Sequence, residues 1–135
     1  MCLRFQPRQR LLRFGLPAWT PGSYLIRDYV RQLEGLEVLQ AGERLRPQRQ
    51  GVAHWQLDLP CLEPITIRYG VMATELTVRT CHLTDQHGFL ALAAVAMAID
   101  GERWTPHRLS LELPEHWQAF VPLAAIDHLR WQAES

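Results

Sequence analysis

The sequence predicts an all-β fold, an antiparallel β-sandwich, and three observations carry that expectation. Short segments rich in strand-favouring residues recur between turn signals, and several of them alternate apolar with polar residues. Nine prolines, spread from Pro7 to Pro122, leave little uninterrupted length for a helix. An interior proline costs a helix about 3 kcal/mol, so strands and loops are expected to dominate.

Residues 11–16 form the first expected strand. Residues 25–33 place Leu25, Ile26, Tyr29, Val30 and Leu33 near helical spacing, yet the surrounding rhythm favours a strand there too. Residues 52–59 put Trp55, Leu57 and Leu59 on one face and His54, Gln56 and Asp58 on the other, as in a strand with one buried side. Residues 65–72 align Ile65, Ile67 and Tyr69, and residues 75–82 continue the alternation with Leu76 and Val78 inward. The alanine-rich segment 90–99 reads as a strand although its composition also suits a helix. Residues 108–113 and 119–123 complete the set.

A chain of 135 residues with 47% apolar and 21% charged residues is expected to fold as a single domain over residues 1–135. No internal repeat, low-complexity tract or Gly/Ser linker divides it. The formal net charge is zero and all basic residues are arginine, which supplies no broad positive field for nucleic acid. Arginines concentrate before residue 50 and acids after it, a pattern that fits solvated faces. Cys2, Cys61 and Cys81 make an odd count with no C-x-x-C pair, which argues for a reducing compartment, the cytoplasm. The Arg-rich start lacks the apolar stretch of a secretory signal, and no run reaches the roughly 18 apolar residues of a membrane helix.

The residues offer little catalytic chemistry of their own. No histidine sits in the H-E-x-x-H pattern that brings two imidazoles and a water-activating glutamate onto one helix face. Cys81, His82, Asp85 and His87 lie within seven residues, but adjacent strand residues point to opposite faces, which argues against a common metal. Cys81 with His82 or His87 as base would make a thiol nucleophile. A strand cysteine is more often a small buried hydrophobe, and nothing marks an oxyanion hole. Trp19 and Tyr24 flank the Pro21-Gly22 turn, a site for a ligand or the cap of a core edge.

Residues 16–29, Leu-Pro-Ala-Trp-Thr-Pro-Gly-Ser-Tyr-Leu-Ile-Arg-Asp-Tyr, resemble the L-P-x-W-x-P-G-S-Y-x-I-R-[DE]-[FY] phrase near the start of the glycyl aminopeptidase family of zinc peptidases, which often also carry a PDZ domain. Tyr69-Gly70-Val71-Met72-Ala73, Leu76-Thr77-Val78-Arg79-Thr80 and Asp85 through His87-Gly88-Phe89 are similar to later motifs of that family in the same order. Pro106 to Leu109 and Leu113 to Trp117 resemble the strand and P-x-x-W turn before its catalytic domain. Two departures stand out: only residues 1–10 stand where the family has an extra strand or two, and Leu90 to Ala94 replace a polar Asn-Gly-Thr-like stretch.

The resemblance implies a non-catalytic, saddle-like β domain at the amino-terminal end of a zinc aminopeptidase. Such a domain scaffolds the catalytic domain of the same parent chain and walls a cleft for peptide substrate. Zinc is expected in the missing catalytic domain and no cofactor in this segment; the exposed docking face is expected to pair with that domain or to form a homodimer. A substrate's free amine needs a carboxylate or amide acceptor, which makes Glu75 and Asp85 the candidates, with His87 beside them. The competing reading is a solvated Glu75 and a turn-forming Asp85. As a whole, the alternatives are a stand-alone β-sandwich binding peptide or sugar, or an independent metal or thiol enzyme.

Overall fold

A computed structural model describes residues 1–19, 24, 28–74 and 81–134. The chain divides into two compact units, Met1–Asp100 and Gly101–Ser135. The larger unit contains strands β1 (Cys2–Phe5), β2 (Leu11–Gly15), β3 (Leu33–Gln40), β4 (Glu43–Leu45), β5 (Gln48–Gln50), β6 (His54–Asp58), β7 (Ile65–Val71), β8 (His82–Leu83) and β9 (Gly88–Phe89), a one-turn helix α1 (Leu92–Val95), and β10 (Ala98–Ile99). Two four-stranded antiparallel sheets result, ordered β1-β7-β3-β4 and β10-β2-β6-β5, with β8 and β9 as a separate hairpin.

Period-two patterning explains which faces meet. On β7 the inward Ile65, Ile67 and Tyr69 are buried while Arg68 is exposed, and the register sets Leu3, Ile67, Val38 and Leu45 in one row across the first sheet. The second sheet answers with Ile99, Phe14 and Trp55. Phe14 and Trp55 stack at 5.9 Å between ring centroids with planes 15° apart. Both rows enter one continuous core, so the two sheets form the expected sandwich. Each such buried side chain contributes about 1.5–3 kcal/mol. β2 and β6 approach so closely that a Cβ on Gly15 would collide with the Ala53 carbonyl oxygen, leaving glycine as the fit.

Several elements differ from the sequence expectation. β3 carries a bulge: Glu34 pairs with Gly70 and Glu37 with Arg68, so two residues oppose Tyr69, and Gly35 takes φ +61° to allow it. Tyr29–Gln32 forms a 3-10 turn rather than a strand, in keeping with its helical spacing; residues 25–27 lie outside the described residues. In segment 90–99 the expected continuous strand is replaced by α1 and the two-residue β10, because alanine favours the helical turn. Residues 75–80 of the expected fourth strand lie outside the described residues, and β8 begins at His82. Among the described residues no helix is long and apolar enough to cross a membrane.

The smaller unit holds a three-stranded sheet, β11 (His107–Ser110), β12 (Ala124–Ala125) and β13 (Arg130–Ala133), ordered β11-β13-β12. Trp131 on β13 lies opposite both Leu109 and Ala125 and is buried. Pro122 supplies no ladder N–H, and the expected strand at 119–123 gives way to β12 immediately after it. Between β12 and β13, Asp127 accepts the Leu129 amide at 3.0 Å and pairs with Arg130. That hydrogen bond from Arg130, with the amide of Leu129, holds the Asp127 carboxyl below its usual range. The Trp117 amide donates to the Pro114 carbonyl at 3.1 Å, closing a turn over the P-x-x-W residues.

Candidate functional site

Two of the sequence candidates, Asp85 and His87, lie on the β8–β9 hairpin. The Leu83 amide donates to the Ala73 carbonyl at 2.9 Å, and Thr74 forms an antiparallel bridge with His82, so residues 73–74 run beside β8. Thr84 shapes the turn: its Oγ1 accepts the amides of Gln86 at 3.2 Å and His87 at 3.1 Å, while its own amide donates to the His87 carbonyl at 2.9 Å. Asp85 and His87 are thereby fixed on one exposed turn. Glu75 follows Thr74 in sequence but lies outside the described residues.

Register places His82 opposite Phe89, and the His82 and His87 rings approach to 5.5 Å between centroids. The sequence groups His82 with His87 within seven residues but does not offer it as a substrate contact; the hairpin register sets the two rings side by side. Its Nδ1 is buried without a hydrogen-bond partner among the described residues. Cys81, the residue before it, turns the other way: it is fully buried, with Sγ 3.9 Å from the Ala91 carbonyl. Burial pushes the Cys81 thiol up, partly offset by that contact, whereas a nucleophilic cysteine needs the opposite shift. Among the described residues no three His, Cys, Asp or Glu side chains assemble as metal ligands, so no step through zinc is assigned to this chain.

The base of the hairpin is held to the sandwich by Tyr69. Its buried hydroxyl donates to the Val95 carbonyl at 2.5 Å and accepts the Met97 amide at 3.1 Å, tying β7 to the segment after the hairpin. Its place in the Y-x-V-x-A phrase is the sequence signal that this tyrosine has a fixed role.

The larger unit is a two-sheet antiparallel β domain bearing an exposed hairpin, and the described residues assemble no metal cluster. Residues 2–135 match the Peptidase M61 N-terminal domain, and the chain belongs to that peptidase family, the glycyl aminopeptidases. It is similar to the solved structure of an aminopeptidase N family protein from Idiomarina loihiensis, with 29% identity and a TM-score of 0.86. The match covers 98% of this chain and 24% of that one, so the chain spans about a quarter of its solved relative. A search of curated proteins found no match.

Proposed function

We propose that this chain is the non-catalytic N-terminal domain of a zinc aminopeptidase, in which residues 1–135 act as one domain that scaffolds the catalytic domain and walls its substrate cleft. The observation that carries this reading is the match of residues 2–135 to an N-terminal domain of a peptidase family. Asp85 and His87 share one exposed turn, a placement that suits contact with a peptide's amino-terminal end. Glu75 is proposed with them on chemistry alone. The odd cysteine count keeps the proposed setting cytoplasmic.

The test begins with the gene read in frame past codon 135, where H-E-x-x-H is expected within the next ~150 residues, about one domain. The parent enzyme should then hydrolyse peptides with small amino-terminal residues and lose that activity to a chelator. Asp85→Ala and His87→Ala should raise KM by about tenfold while sparing kcat, the pattern for a lost ground-state contact. An in-frame stop at codon 136 would defeat the reading, and an unchanged KM would remove these residues from the site.

A further inference from the structure

The β8–β9 hairpin carries apolar side chains that the sandwich does not cover. Leu83, Phe89, Leu90 and Leu92 are 57%, 52%, 47% and 41% exposed, all within the hairpin and its exit into α1. Exposed apolar residues scattered singly are ordinary, but four within ten residues form a cluster that calls for a cover. Register shows that one flat cover is insufficient. His82 lies opposite Phe89 and Leu83 opposite Gly88, and neighbouring strand positions face opposite ways. Leu83 and Phe89 therefore stand on opposite faces of the ribbon. Only a cleft closes on both.

From this geometry we infer that the hairpin is a wedge, inserted into a cleft of the folded part of the parent chain that follows residue 135. The inference rests on the reading of this chain as an N-terminal peptidase domain. The occupant follows from the same comparison: about three-quarters of the solved relative lies outside the matched part. The wedge is anchored for such a role, with Cys81 buried at its start and Tyr69 pinning Val95 and Met97 after its end. Insertion would carry the turn bearing Asp85 and His87 into the partner's interior rather than along its rim.

Cysteine scanning in the complete parent protein tests the wedge. In a background with Cys2→Ser and Cys61→Ser, Leu83→Cys and Phe89→Cys are compared with Gln48→Cys and Gln50→Cys on the exposed edge strand β5. Maleimide modification of each peptide is followed by mass spectrometry. Both hairpin positions are expected to react about tenfold or more slowly than the β5 pair, as burial denies the thiolate access. Slow reaction at one hairpin position alone would mean flat packing and overturn the wedge. Fast reaction at both would overturn docking there, while the peptidase reading would stand if the same protein retained chelator-sensitive aminopeptidase activity. Protection that disappears on dilution would assign the hairpin to a second copy and likewise overturn the proposal.

Discussion

Tyr69 shows how one side chain can connect a strand that the sequence predicts, β7, to a segment that it describes poorly. Its hydroxyl satisfies the Val95 carbonyl and the Met97 amide at once, inside the core where neither has water. Tyr69→Phe keeps the ring but strands both groups, and should cost about 1–3 kcal/mol in a denaturant midpoint comparison. Burial, opposed by the Met97 amide, raises the Tyr69 phenol above its ordinary value of 10.0. The unfolded chain therefore ionises first as pH rises, and it binds fewer protons than the folded one. This contribution to stability is complete below about pH 10 and declines above it. The decline should be shallower in Tyr69→Phe, as read from unfolding midpoints between pH 9 and 11. Gln40 plays a comparable part in the first sheet, donating to the Cys61 and Glu63 carbonyls at 3.1 and 2.9 Å. No residue pattern in the sequence announces that role.

At the level of elements, alternation was readable wherever a strand keeps one register. β2, β6 and β7 fall where the apolar period predicts them, with Phe14, Trp55 and Ile67 inward. β3, the longest of the described strands, was hidden by its bulge: Leu33 and Val38 both point inward although five residues apart, an odd spacing that breaks period two. β5, all polar, carries no apolar period at all. The candidate hairpin was legible as a loop bearing Asp85 and His87, but its pairing was not, because two-residue strands leave almost no pattern. Its buried start gives a direct check. Cys81 is fully buried and Cys2 exposed, so an alkylating reagent near pH 8 should modify Cys2 readily and Cys81 about a hundredfold more slowly or only on unfolding. Comparable rates would place Cys81 outside the core and reopen a thiol chemistry for the hairpin.

For the whole molecule, the proposed function separates the fold of this chain from the chemistry of the parent enzyme. The sandwich core comes entirely from residues of the larger unit, and no metal cluster assembles among the described residues to contribute to it. Stability drawn from apolar burial does not respond to removal of a metal, whereas a domain folded around zinc collapses without it. Chelation should therefore leave the thermal midpoint of the 135-residue chain within about 1 °C of its untreated value, below the ~3–4 °C that a loss of 1 kcal/mol produces in a domain of this size. The parent peptidase should lose activity under the same treatment while the unfolding of this domain within it stays in place. A fall of several degrees in the isolated chain would mean that it holds a structural metal, and would move part of the family's metal chemistry into the N-terminal domain.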